Sequence, residues 1–170
     1  FNINKYSYIK DHIIDNKLLF PTIGYFDIIK NYFTNKNFFV LKNIEIKNMY
    51  LPTDQIEFNW SIFNSVLKLQ SSDKKLDYFN AEIVDKKDFN NIYFPKYPDQ
   101  FEYKYKLTKN ECYDMLKNKK FNFGENMKSI EYALVNDYSC LIKTIDTTNN
   151  LNIIDLDAGL LSAMIITGIT

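Results

Sequence analysis

The chain has 170 residues, 46% of them hydrophobic and 16% aromatic, which is enough for one domain with a sizeable core. Its 21 basic and 21 acidic residues cancel, with no block of one sign. This counts against a nucleic-acid or membrane-surface protein, since either needs a concentrated basic footprint. No apolar run reaches the roughly 18 residues of a membrane span, and one histidine with two distant cysteines, Cys112 and Cys140, forms no zinc-ligand spacing.

Two free thiols fit a reducing compartment, so a cytoplasmic location is expected. The chain opens on Phe1 and closes on "MIITGIT", and it reads as a piece of something longer.

The spacing of Ile23, Phe26, Ile29 and Phe33 predicts a helix from Thr22 to Phe33. It is apolar nearly all round and therefore buried, with Thr22 as its cap and "TNKN" at 34–37 as its end. Strands follow at 38–47, 56–60, 65–70 and 76–84. The best signals are the alternation Ile44-Glu45-Ile46-Lys47 and the hairpin loop "SSDKK".

Residues 85–106 hold Pro95 and Pro98 and read as irregular. Thr108, with Glu111 three residues on, caps a helix to Asn118 in an approximate capping box. Two more strands, 129–135 and 139–145, meet at the turn Asn136-Asp137. "DTTNN" then leads into an apolar helix over about 156–166. A buried helix followed by antiparallel strands, with the order begun again after a linker, describes an α+β fold in which a sheet wraps a helix. The aromatic residues, among them Phe38, Phe39, Trp60, Phe63, Tyr78 and Phe79, are read as core.

The only histidine, His12, lies in "DHIIDNKLLFPTIGY" at 11–25. By composition alone, a lone histidine is a satisfied polar residue at a strand end; chemistry needs a visible partner. The surrounding residues resemble a family. "DHIIDNKLLFPTIGYFDI" is similar to the H-x-x-x-G-x-x-x-x-P opening of polyketide synthase dehydratase domains, with Pro21 nine residues after His12 and Gly24-Tyr25 beyond it. "KFNFGENMKSIE" at 120–131 resembles the family's G-Y-x-Y-G-P-x-F segment, and "IIDLDAGLLSAM" at 153–164 resembles its L-L-D-A-x-L-Q segment. The three stand in the family's order over nearly the whole chain.

The resemblance implies a hot-dog fold, an antiparallel sheet wrapped around a central helix. The first hot dog would be complete over 1–94, a linker would occupy 95–107, and a second hot dog would begin at 108–170 and be cut off after its helix. It implies a hydro-lyase that removes water from a 3-hydroxyacyl thioester, with His12 as base and Asp157 as acid. Pro21, Gly24, Phe121, Phe123 and Leu161 would line the substrate, and helix-start N–H groups near Gly24 would polarise the thioester carbonyl. No cofactor of its own and no metal are implied, because the substrate arrives on the phosphopantetheine of an acyl carrier protein. The partners would be that carrier and neighbouring synthase domains, with a homodimer allowed through the parent synthase.

Several positions depart from the family pattern. Asn16 replaces a glycine, Phe121 and Phe123 replace tyrosines, and Glu125 replaces a proline. Leu161 stands where glutamine or histidine orients the acid, and Asn152-Ile153 replaces a His-Pro pair. A second reading therefore stands beside the enzyme: an inactive dehydratase-like segment that serves the synthase as structure or docking surface. A hot-dog acyl thioesterase is a third.

Overall fold

The structure is a computed structural model and describes residues 6–33, 40–52, 57–84, 101–145 and 153–169. The expected helix end at 34–37, Phe38 and Phe39, the linker over 85–100, "DTTNN" and Asn152 lie outside these residues.

A short helix α1 (Ser7–Lys10) leads into strands β1 (His12–Ile14) and β2 (Lys17–Leu18), then helix α2 (Thr22–Tyr32). Strands β3 (Val40–Ile46), β4 (Asn59–Phe63), β5 (Val66–Gln70) and β6 (Asp77–Val84) follow. Next come β7 (Tyr105–Thr108), α3 (Lys109–Asn118), β8 (Phe121–Phe123), a 3₁₀ turn at Glu125–Met127, β9 (Ile130–Val135), β10 (Cys140–Thr144) and α4 (Ile153–Ile169).

All pairings are antiparallel, in three sheets ordered β3-β6-β5-β4, β10-β9-β7 and β2-β1-β8. This is the expected α+β architecture. The four-stranded sheet turns Leu67, Leu69, Phe79 and Ala81 inward, and helix α2 with the residue that ends it contributes Ile23, Tyr25, Ile29 and Phe33 to the same core. Tyr25 and Phe26 meet Phe79 at ring separations of 5.4 and 6.0 Å, so the helix lies in the hollow of the sheet, the hot-dog arrangement. Strand alternation supplies one apolar face and the helical repeat supplies the stripe that fills it.

Local chemistry explains most boundaries. The capping box at α3 is complete, with Thr108 and Glu111 each bonded to the other's backbone N–H. At 71–76 the Ser71 hydroxyl and Asp73 carboxylate bind the turn N–H groups. Asn136 Oδ1 accepts from the N–H groups of Tyr138 and Ser139 at the next hairpin. In the two-residue loops Asp15-Asn16 and Asn64-Ser65 every residue has positive φ, the signature of a type I′ hairpin.

Four expectations change. The cap of α2 is Pro21, with no side-chain cap bond, because the Thr22 backbone is already helical. The irregular stretch ends earlier than expected, since Tyr105–Thr108 pair with β9 as a strand. Phe63 is not core: it closes β4 beside the Asn64-Ser65 turn and is 76% exposed. Helix α4 runs 17 residues and is buried on one side only. Ala158, Leu161 and Ile165 face the core, while Leu156, Leu160 and Met164 are exposed. Among the described residues, no helix is long and apolar enough to cross a membrane.

Candidate active site

His12 opens β1 and is 8% exposed. It stands opposite Phe123 in the β1–β8 ladder, and the two rings stack at 5.3 Å and 27°. Its Nδ1 lies 2.9 Å from the Leu19 carbonyl oxygen. A carbonyl only accepts, so Nδ1 carries the hydrogen and Nε2 keeps the lone pair. Burial holds the imidazole below its ordinary value against the opposing pull of the Leu19 bond, so the ring is neutral at pH 7 and basic at Nε2.

Asp157 stands in the first turns of α4 and is 5% exposed. Its Oδ2 is buried with no hydrogen-bond partner among the described residues. Desolvation pushes the carboxyl up to about 6. Leu161, one turn further along the same helix, is buried in the core and has nothing to donate to that oxygen. Burial drives the Tyr113 phenol on α3 above its usual range, with a smaller push from the charge of Asp157. The Tyr113 hydroxyl accepts from Ile130 N–H at 3.2 Å and faces the Met127 carbonyl at 3.4 Å, tying α3 to the segment after β8.

The two groups thus carry complementary protonation: a desolvated imidazole kept neutral and a desolvated carboxyl kept protonated to unusually high pH. Both displacements have the same leading cause, burial, which disfavours the charged form of each group. Each is set by a different part of the chain, His12 by the strand pairing of residues 12–14 with 121–123 and Asp157 by helix α4.

Pro21 and Gly24 sit together at the start of α2, and the Gly24 N–H donates to the Pro21 carbonyl at 2.9 Å. That donor is therefore engaged within the helix's first turn. The place of Gly24 in the fold is steric: a Cβ there would stand 2.6 Å from the Phe20 ring. Phe123 is brought against His12, and Phe121 lies two residues away on the same strand, half-buried.

Asp11 gains a role that its sequence position did not announce. Its Oδ2 accepts from Asn126 N–H and Asn126 Nδ2 at 2.7 and 2.8 Å, and its carbonyl accepts from Gly124 N–H at 2.9 Å. These bonds hold the strand of His12 against the 3₁₀ turn. They also account for Gly124, where a Cβ would collide with the Asp11 carboxyl. The ordered occurrence of an aspartate before the histidine and a glycine after β8 was the available signal.

No family model matches the chain. In sequence it is 26% identical over 161 residues to the probable polyketide synthases 23 and 22 of Dictyostelium discoideum, covering 85% of this chain but only 6% of theirs. In structure it is similar to a trans-AT polyketide synthase dehydratase domain from Brevibacillus brevis, with TM-score 0.71 and 13% identity over 96% of this chain and 67% of that one. It is also similar to the CurJ dehydratase in a form described as an inactive mutant, a histidine there being phenylalanine, with TM-score 0.71 and 13% identity over 99% and 65%. The CurK dehydratase, in an inactive mutant with an aspartate changed to asparagine, matches at TM-score 0.64 and 16% identity over 94% and 65%. The chain therefore has the fold of these dehydratase domains and is similar in sequence to a small part of two polyketide synthases.

Proposed function

We propose that this chain is the dehydratase part of a polyketide synthase, removing water from a 3-hydroxyacyl thioester held on an acyl carrier protein. His12 Nε2 takes the proton from the carbon next to the thioester carbonyl. The bond from the third carbon to its hydroxyl breaks, Asp157 gives that oxygen its proton, and an alkenoyl thioester and water remain. The single observation that carries this reading is the pairing of environments, a neutral buried histidine and a buried carboxyl pushed up to about 6, whose Oδ2 has no partner among the described residues. The two inactive relatives, altered at a histidine and at an aspartate, support the same two residue types.

Residues 1–94 form one hot-dog unit in this proposal and 108–170 begin a second. The phosphopantetheine belongs to the carrier. Phe123, stacked on the base, and Pro21 and Gly24, at the start of α2, line the substrate's approach.

A second reading has its own support. Phe121 and Phe123 offer no hydroxyl and Leu161 offers no hydrogen bond, as expected of an inactive segment kept for its shape. Incubation with a 3-hydroxyacyl pantetheine thioester separates the two. Mass loss of one water, abolished by His12→Ala, supports the enzyme. A folded chain that leaves the thioester intact refutes it, and release of the free acid identifies a thioesterase.

A further inference from the structure

Helix α2 ends over a cavity of about 280 Å³, between its last turns and the inward face of the four-stranded sheet. Ile28, Ile29 and Phe33 line it from the helix side, and Trp60, Leu67 and Leu69 from the sheet. Trp60 stands opposite Leu69 in the β4–β5 ladder, so both side chains leave one face, and Leu67, two residues from Leu69, shares it. Ile29, Leu67 and Leu69 are buried, while Tyr32, 58% exposed, and half-buried Trp60 stand at the mouth.

The cavity is separate from the candidate active site. From Gly24 to Tyr32 helix α2 rises about 12 Å at 1.5 Å per residue. His12, Pro21, Phe123 and Asp157 form no part of the cavity wall.

The walls select a kind of ligand. Among the described residues, no charged side chain lines the cavity. The Asn31 amide at its edge donates to the Tyr6 hydroxyl at 3.3 Å. The Phe33 and Trp60 rings meet edge to face, 6.4 Å apart at 79°. A charged ligand would lose its hydration here without a counter-charge. An aromatic one gains ring-to-ring contact beyond the area it buries. A cavity of about 150 Å³ with aliphatic and aromatic walls stays dry and takes up one benzene ring. The larger volume here suits a fused pair of rings.

We propose that this cavity binds an uncharged aromatic molecule the size of a fused ring pair, at a site distinct from the candidate active site. The ligand lies between Ile28 and Ile29 on one side and Leu67 and Leu69 on the other, and supplies the dispersion contacts that the empty walls lack. Because it binds the folded chain alone, it raises the stability of the fold. The proposal does not depend on the dehydratase reading.

The probe is indole, and the readout is the side-chain N–H resonance of Trp60, the chain's one tryptophan, in isotope-labelled protein. Expected are a saturable shift of that resonance with a dissociation constant of about 1 mM or tighter and a higher thermal midpoint. Magnetisation is expected to pass from the indole protons to the methyl groups of Leu67 and Leu69. Indole-3-carboxylate, which adds a charge to the same rings, is expected to bind at least about tenfold more weakly. Ile28→Trp puts a larger side chain into the cavity and is expected to abolish the shift in a chain that circular dichroism shows to be folded. Magnetisation transfer in the unaltered chain locates the ligand even where that variant does not fold. A shift that never saturates overturns the proposal, as does transfer to other methyl groups and none to these leucines. Equal affinity for indole and its carboxylate, or undiminished binding by folded Ile28→Trp, overturns it equally.

Discussion

Asn126 donates two hydrogen bonds to one carboxylate oxygen of Asp11, at 2.7 Å from its backbone and 2.8 Å from its side chain, across a sequence separation of 115 residues. The contact closes the β1–β8 strand pair and so fixes the residue next to His12. Bonds to a charged acceptor are worth more than neutral ones, so Asp11→Ala is expected to cost about 2 kcal/mol in chemical denaturation. Gly124→Ala is expected to be harmful in the natural chain, where the new methyl meets the Asp11 carboxyl, and markedly less so with Asp11→Ala already present. Additive effects in that double-mutant cycle count against the clamp.

In the proposed reaction, His12 must be neutral and Asp157 protonated at the same moment. The histidine is held below its ordinary value and the carboxyl is pushed up to about 6. The rate falls on the acid side as His12 takes a proton and on the basic side as Asp157 loses one. A bell-shaped profile with its maximum on the acid side of neutrality is the expected outcome. His12→Ala is expected to lower turnover by at least a hundredfold. A rate that rises steadily from pH 6 to pH 9 contradicts the assignment of Asp157 as the acid.

Asp157 carries a stability signature independent of turnover. Its folded value, about 6, lies above the unfolded value of 3.8, so the folded state binds the proton more tightly. The stability this confers is full below pH 3.8 and is lost as pH rises to about 6; the shift corresponds to about 3 kcal/mol. His12 acts in the opposite sense. Its folded value is depressed below 6.5, so its contribution is present above 6.5 and fades as pH falls toward the folded value. Asp157→Asn is therefore expected to raise stability at pH 8 by about 1–2 kcal/mol, less than the full shift because the buried amide also lacks partners. Urea unfolding at pH 4 and pH 8 measures it, and equal stability of the two proteins at both pH values removes the burial argument.

Much of this was legible from pattern. The 3.6-residue spacing of Ile23, Phe26, Ile29 and Phe33 located helix α2, and Thr108 with Glu111 located α3, because caps and stripes act within a few residues. Asn16, which stands where the family pattern has glycine, has φ 59 in the two-residue turn, a left-handed conformation that asparagine tolerates better than most residues. The turn Asn64-Ser65, with φ 48 and 63, was overlooked because Asn-Ser is a weaker hairpin signal than Asn-Gly, and β4 was accordingly placed too early. The three-residue strands β1 and β8 have no periodicity to read. They form by pairing with each other, a contact between residues over a hundred positions apart. The Gly24 N–H illustrates the same limit at the candidate site: its availability depended on whether the Pro21 carbonyl takes it, which only the folded turn decides.

Leu161 offers the sharpest test of whether the candidate site is impaired. It stands one turn after Asp157 on the buried side of α4, and glutamine is the residue that resembles the family pattern there. An amide placed at that position, four residues along one helix face, reaches the carboxyl of Asp157 and supplies a donor to an oxygen that has none among the described residues. Replacing a buried leucine by a polar side chain loses apolar burial and is expected to lower stability by about 1–3 kcal/mol. If orientation of the acid limits the rate, Leu161→Gln raises turnover severalfold despite that loss, and the basic limb of the pH profile moves because the carboxyl's surroundings have changed. A less stable protein with an unmoved limb and no gain in rate means that the leucine does not limit the acid.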